Sequence, residues 1–210
     1  MDRDIALWLI KFDKNTNLVS DQEIKWSENL GKKRQSEYLK TRSLVRKTLS
    51  FFFNIKPLDI PLFAPPGKPP LLKSGFGYLS LSHCKDALLI SWAKQPLGID
   101  IERIDRKFPA KKLLDKFSTE NEKSLFKELE GEKLRLAVLE LWTIKEAAIK
   151  TKFEDIYTGM NSWEYSFDKK EISHKLGMNK LNIVSFEFLS WKIALATKQN
   201  LYKNDSLLCF

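Results

Sequence analysis

Short segments in which apolar and polar residues alternate predict several strands along the chain. Residues 4–12 alternate in this way, and residues 76–83 and 86–93 do so on either side of a tight turn, which predicts a hairpin. Residues 98–102 alternate again, and most of 161–197 has the same character. Because side chains along a strand point to opposite faces in turn, each segment is expected to bury one face.

Longer stretches of good helix-forming residues lie between these strands. Two of the predicted helix starts carry capping boxes, Ser20 with Glu23 and Thr119 with Glu122. Gly31 ends the first predicted helix. Further helices are predicted over residues 32–53, 109–117, 119–130 and, behind an apolar run that starts at Leu134, to residue 150.

The order of the predicted elements indicates an α+β fold with two halves. Residues 1–97 and 98–210 each contain long helices followed by a strand-rich end, and each end has an apolar run with a tryptophan, at 88–93 and 191–196. Two related halves would explain the similarity of these two ends, but so would two unrelated buried strands. The division at residues 97 and 98 is the predicted domain boundary.

The composition of the chain limits the classes of protein to which it can belong. The chain has 210 residues, 43% of them hydrophobic, which is ample for a packed core. The net charge of +9 fits an acidic protein, an anionic cofactor, a nucleic acid or a membrane surface. Two cysteines give no disulfide framework, and neither a signal peptide nor a run long enough to span a membrane is apparent, so a cytoplasmic location is expected.

Three acidic residues are candidate metal ligands. Asp100 and Glu102 share one face of a predicted strand, and Glu146 lies four residues before Lys150 on a predicted helix. If the helix faces the strand, three carboxylates meet, a ligand set that suits magnesium. Taken singly, the strand pair also fits a solvated outer face and the helix pair a surface salt bridge.

Several well-known catalytic motifs are absent from the sequence. No nucleophile elbow, phosphate-binding loop, dinucleotide-binding glycine pattern or zinc ligand spacing occurs. Ser80, Ser82 and His83 end a predicted strand, with both serines expected to point outward, where a hydroxyl and an imidazole can bind phosphate. Lys68 follows Gly67 in a proline-rich segment that holds it on a stiff loop. A hydrogen-bonded turn histidine and an ordinary surface lysine are the simpler interpretations.

Taken in order, four motifs resemble the 4′-phosphopantetheinyl transferase superfamily, in its longer, monomeric type. They are Gly67-Lys68-Pro69, Leu79-Ser80-Leu81-Ser82-His83, Gly98-Ile99-Asp100-Ile101-Glu102 and Trp142-Thr143-Ile144-Lys145-Glu146-Ala147-Ala148-Ile149-Lys150. The resemblance implies a pseudo-dimer of two similar halves, each a small antiparallel sheet packed with helices, with the active site in the cleft between them. It also implies magnesium as cofactor, coenzyme A as co-substrate and an acidic acyl or peptidyl carrier protein as partner, with no role for nucleic acid or membrane.

The resemblance further assigns roles to the acidic residues and to one lysine. Asp100, Glu102 and Glu146 would hold magnesium against the pyrophosphate of coenzyme A, and Lys150 would contact the phosphates. The reaction would pass phosphopantetheine to a carrier serine and release 3′,5′-ADP. Glu146 is then the candidate base for the serine proton, either directly or through a water.

The nucleotide end of coenzyme A is assigned to a second group of residues. By the same resemblance Lys68, Ser82 and His83 would bind it, and Arg42 would lie near the 3′-phosphate, with further basic contacts at Lys33 and Lys32. Two other classes remain open: a coenzyme A-binding relative without activity, and a basic nucleic-acid-binding module.

Overall fold

The computed structural model describes residues 4–12, 18–152, 159–177 and 180–199. Within these ranges the helices are α1 (Asp21–Ser27), α2 (Lys32–Phe53), α3 (Ala110–Phe117), α4 (Glu120–Phe126) and α5 (Gly131–Lys150). The strands are β1 (Ile5–Lys11), β2 (Leu62–Phe63), β3 (Leu71–Leu72), β4 (Tyr78–His83), β5 (Ala87–Ala93), β6 (Leu97–Arg103), β7 (Trp163–Ser166), β8 (Glu171–His174), β9 (Lys180–Phe188) and β10 (Trp191–Thr197). The prediction of an α+β fold is confirmed.

Two larger antiparallel sheets share a pattern of connection. The first has the order β1-β5-β4 and the second β6-β10-β9-β8-β7, while β2 and β3 form a separate pair. In each sheet the first strand in sequence pairs with the second strand of a hairpin, β1 with β5 and β6 with β10. A long helix, α2 or α5, lies between that first strand and the hairpin in the chain.

The hydrophobic core lies in three layers between helices and sheets. Apolar residues of α2 such as Val45 and Leu49 pack against Leu88 and Ile90 on one face of the first sheet. The opposite face of that sheet packs against the second sheet, and α5 covers the far side of the second sheet. The order of layers is therefore α2, first sheet, second sheet, α5, with β6 facing both the first sheet and α5.

Strand β6 follows the predicted alternation. Ile99 and Ile101 are fully buried in the core between the two sheets, which leaves Asp100 and Glu102 on the face toward α5. Gly98 shares that face, and a Cβ atom added there would lie 1.9 Å from the carbonyl oxygen of Ala147 in α5. The absence of a side chain at Gly98 therefore lets α5 lie directly on β6.

The prediction that Ser80 and Ser82 point outward is wrong, because both are buried. Their hydroxyl oxygens accept hydrogen bonds from the backbone N–H groups of Ile99 and Ile101, at 3.2 and 3.4 Å. Strand β6 is the edge of the second sheet, so its outer N–H groups need acceptors. The two serines of β4 supply them and join the two sheets through side chains.

The predicted helix over 119–130 is shorter in the structure, since α4 ends at Phe126. The two-residue strands β2 and β3 were not predicted, because so few residues show no periodicity. Strand β8 lies in the segment 161–197, which was predicted to be mostly strand. In the described part of the chain, every helix is too short or too polar to traverse a lipid bilayer.

Candidate active site

Strand β6 and helix α5 bring the three predicted acids together. Asp100 Oδ1 accepts hydrogen bonds from Ser82 Oγ at 2.6 Å and from Lys150 Nζ at 2.7 Å. Its second oxygen, Oδ2, is buried and has no hydrogen-bond partner within the described residues. A buried carboxylate oxygen without a partner is costly, and a cation beside it would offset that cost.

Glu146 projects from α5 toward the same point. Its Oε2 lies 3.8 Å from Lys150 Nζ, and the side chain is largely buried. Burial, together with the negative charge of Asp100, raises the pKa of Glu146 from 4.5 to about 7. The negative charge of Glu102 also raises the pKa of Glu146.

Glu102 occupies the outer side of this group. Burial and the charge of Asp100 raise the pKa of Glu102 from 4.5 to about 7, although Arg106 and Lys150 act against the rise. Arg106 forms an ion pair with the Glu102 carboxylate through Nη1 and Oε1. Each of the three acids therefore forms an ion pair with a basic side chain.

The donor set of this cluster fits magnesium. All the donors are carboxylate oxygens, Asp100 has an unpartnered oxygen, and the side chains of Glu102 and Glu146 are largely buried. As the side chains stand, no three acidic, histidine or cysteine groups in the described ranges are arranged closely enough to hold a metal. Magnesium usually takes only one or two carboxylates and completes its shell with water and substrate phosphates, so the two observations are compatible.

A cavity of about 670 Å³ adjoins the acids. Its wall includes four of the predicted substrate-binding residues, namely Arg42 from α2, Lys68 from the proline-rich loop, His83 from β4 and Lys150 from α5. This volume is typical of small-molecule sites. Because Lys150 also contacts Asp100, it connects the cavity to the acidic cluster.

Local contacts fix the orientation of Arg42 in this wall. Its Nε donates to the carbonyl oxygen of Ala64 at 2.9 Å, and its guanidinium lies 4.6 Å from the ring centroid of Tyr38. Burial lowers the pKa of Arg42, and the neighbouring Tyr38 opposes that change. An arginine held in this way offers a planar set of donors that suits a phosphate.

Lys68 and His83 approach the cavity from the other side. Gly67 adopts φ +72°, a left-handed conformation that glycine tolerates, and it turns the chain so that Lys68 follows at the cavity wall. Desolvation lowers the pKa of His83, and the positive charge of Lys150 acts in the same direction. His83 is therefore favoured as a neutral imidazole until an anion enters.

Two predicted contacts lie elsewhere. Lys33 is exposed on α2 and is not part of the cavity wall, whereas Arg34 is. Ser82 donates to Asp100, and Ser80 lines the cavity in its place. The signal for Arg34 was present in the sequence, since it lies eight residues before Arg42 and two helical turns bring such positions to one face.

Lys145, the residue before Glu146, has a different environment. It is fully buried and donates to Glu122 Oε2 at 2.6 Å and to the carbonyl oxygens of Phe117 and Met160. Glu122 also accepts from the backbone N–H groups of Thr119 and Tyr165. This pair ties α5 to α4 and β7, and so helps to hold α5, which carries Glu146, in place.

Part of the chain matches the model of a known protein family. The model of the 4′-phosphopantetheinyl transferase superfamily matches residues 96–198, a segment that contains Asp100, Glu102, Glu146 and Lys150. No curated protein matches the chain. The chain therefore contains a domain of the 4′-phosphopantetheinyl transferase superfamily, which spans residues 96–198 and indicates a transferase.

Proposed function

We propose that the protein transfers 4′-phosphopantetheine from coenzyme A to a serine of an apo acyl or peptidyl carrier protein and releases 3′,5′-ADP. The superfamily supports phosphopantetheinyl transfer in general terms. The observation that carries the proposal is the position of Lys150, which lines the 670 Å³ cavity and donates to Asp100 of the acidic cluster. One lysine thus links a site for an anionic nucleotide to a site for its metal.

The acidic cluster is the proposed place of reaction. Asp100, Glu102 and Glu146 would hold magnesium, which when bound neutralises the diphosphate charge. The serine oxygen attacks the β-phosphorus of coenzyme A, and the bond from that phosphorus to the bridging oxygen breaks. The electron pair leaves with 3′,5′-ADP, and the serine proton passes to Glu146.

Two observations support these roles for Glu146 and Lys150. The pKa of Glu146, raised to about 7 by burial and by Asp100, lies in the range that suits a general base near neutral pH. Lys150 Nζ lies between Asp100 and Glu146, at 2.7 and 3.8 Å, so a small movement brings its charge to a phosphate in the cavity.

The nucleotide end of coenzyme A would occupy the cavity. Arg42, Lys68 and His83 are the proposed partners of its phosphates, joined by Arg34 on the same face of α2. Arg34 takes the place that the sequence suggested for Lys33. Ser82 would act by orienting Asp100, to which it donates a hydrogen bond of 2.6 Å.

The architecture and partner follow from the same proposal. The shared connectivity of the two sheets supports a pseudo-dimer of halves 1–97 and 98–210, with the cavity between elements of both and a monomer as the working unit. The net charge of +9 supports an acidic carrier protein, which would be drawn to the enzyme electrostatically.

The direct test mixes the protein with coenzyme A, magnesium and several apo-carriers, and weighs each carrier by mass spectrometry. We expect a gain of one phosphopantetheine on a carrier with the wild type and almost none with Asp100→Asn. Coenzyme A binding without any gain in mass, for every carrier tried, would contradict the proposed activity and favour a binding protein.

A second test separates Arg34 from Lys33, which are adjacent in sequence but differ in position. Arg34→Ala should raise the Michaelis constant for coenzyme A more than that for dephospho-coenzyme A, because a charge-assisted contact to the 3′-phosphate is lost. Lys33→Ala removes the same charge and serves as the control. Equal effects of the two substitutions would contradict the assignment of Arg34.

A further inference from the structure

Arg106 is a basic residue beside the acidic cluster that the proposed reaction does not use. It lies in the turn after β6, where its backbone N–H donates to the carbonyl oxygen of Arg103 at 3.1 Å. Its carbonyl oxygen accepts from Arg135 Nη1 at 2.8 Å. These bonds fix the backbone, so the guanidinium reaches Glu102 from a defined position.

The side chain of Arg106 is also held by aromatic rings. Its guanidinium lies 5.8 Å from the ring centroid of Trp142 and 5.8 Å from that of Phe108, while Nη1 forms the ion pair with Glu102. Trp142 is on α5, one turn before Glu146. Arg106 therefore touches both elements that carry the acids.

The Arg106–Glu102 ion pair is more exposed than the Lys145–Glu122 ion pair. The side chains of Arg106 and Glu102 are 40% and 17% exposed, whereas those of Lys145 and Glu122 are 0% and 1% exposed. A pair that is open to water is weak and can be exchanged for another partner. A buried pair cannot, because one charge would be left without compensation.

We propose that Arg106 is a positioning residue that holds the Glu102 carboxylate in the metal-free protein and gives it up when a divalent cation binds. This inference rests on the proposed function. It adds that Arg106 sets the cation concentration at which the three acids bind the metal. The guanidinium stays charged at every accessible pH, so only a competing cation displaces it.

The test measures binding of Mn²⁺ by electron paramagnetic resonance in the absence of coenzyme A and carrier, for the full chain. Arg106→Gln frees Glu102 and should bind Mn²⁺ about fivefold more tightly than wild type, the factor that corresponds to an exposed ion pair. Arg106→Lys keeps the charge and should stay within about twofold of wild type.

Lys107→Gln is the matched control. Lys107 is the next residue, is 77% exposed and faces Glu132 at 3.8 Å, so its loss removes one positive charge without touching Glu102. We expect its Mn²⁺ affinity to remain within about twofold of wild type, and circular dichroism checks that each variant folds. An affinity of Arg106→Gln equal to that of Lys107→Gln, or weaker than that of wild type, would overturn the proposal.

The Mn²⁺ measurements distinguish a failure of the role of Arg106 from a failure of the proposed transferase activity. Mn²⁺ binding that Arg106→Gln strengthens, in a protein that modifies no carrier, would leave the role of Arg106 standing and remove the transferase assignment. Absence of Mn²⁺ binding in every variant, or undiminished binding in Asp100→Asn, would remove both the metal site and the role of Arg106.

Discussion

Replacing Glu146 with glutamine should stabilise the metal-free protein while it greatly reduces turnover. The pKa of Glu146 is about 7 in the folded protein and 4.5 ordinarily, so the folded state binds its proton more tightly than the unfolded state does. Wild-type stability is therefore lost as pH rises from about 4.5 to about 7, and the loss is complete above that range. The amide introduced by Glu146→Gln carries no charge to bury, so the variant escapes this loss.

The size of the effect follows from the same two values. The difference between 4.5 and about 7, at about 1.4 kcal/mol for each pH unit, corresponds to about 3 kcal/mol. Glu146 is largely buried, so solvent screening reduces this only partly, and we expect a gain of about 1 to 3 kcal/mol at pH 8. For a chain of this size that is a rise in melting temperature of roughly 3 to 10 °C.

The assay is urea or thermal unfolding in excess chelator at pH 8 and at pH 5. The gain should be present at pH 8 and small at pH 5, where wild-type Glu146 is already mostly protonated. Glu140→Gln is the control, because Glu140 is on the same helix but contacts Ser185 and Lys192 outside the cluster. Added magnesium should stabilise the wild type and have less effect on Glu146→Gln, in proportion to its loss of affinity.

Glu146→Gln should gain stability and lose activity at the same time. Turnover of Glu146→Gln should fall by a factor of roughly 10² to 10⁴ and should not recover with excess magnesium, because a metal cannot replace the proton acceptor. A variant that is less stable than wild type at pH 8 in chelator, yet turns over normally, would show that Glu146 is a structural partner of Lys150 only.

Three further predictions concern the elements around the cluster, and one concerns the carrier. Asp100→Asn should stay folded, lose most turnover and recover part of it at raised magnesium, measured as initial rates against metal concentration. Gly98→Ala should destabilise the fold by about 1–3 kcal/mol or more in urea unfolding, since its Cβ would meet the Ala147 carbonyl oxygen at 1.9 Å; a neutral result would contradict the close packing. Lys145→Met should cost about 3–5 kcal/mol because Glu122 stays buried without its partner, and adding Glu122→Gln should restore part of the loss. Carrier association should slow as salt rises from low values to about 0.1 M, and rates that ignore salt would indicate an apolar docking surface.

Local periodicity was sufficient to predict which strand and which helix carry the three acids. The alternation around Ile99 and Ile101 predicted that Asp100 and Glu102 share a face, and the structure confirms it. The extent of α2, residues 32–53, was also predicted correctly from continuous helix-forming sequence. These features depend on residues that are neighbours in the chain.

Features that depend on distant residues could not be predicted. The burial of Ser80 and Ser82 follows from the edge of β6, which reaches them only when the two sheets pack. The fully buried Lys145 depends on Glu122, which is 23 residues away and supplies the compensating charge. A pattern of charges on a helix surface gives no sign of such a partner.

Two amide hydrogens can report whether the two sheets are packed together, because both are bonded to serines of the other sheet. The N–H groups of Ile99 and Ile101 cross from β6 to the serine hydroxyls of β4, so their hydrogen exchange reports separation of the two sheets without unfolding of either one. Ser82 also donates to Asp100, so any such separation alters the orientation of this carboxylate. The contact between the two sheets and the orientation of Asp100 thus depend on one hydroxyl group, and amide exchange at two positions can follow the separation.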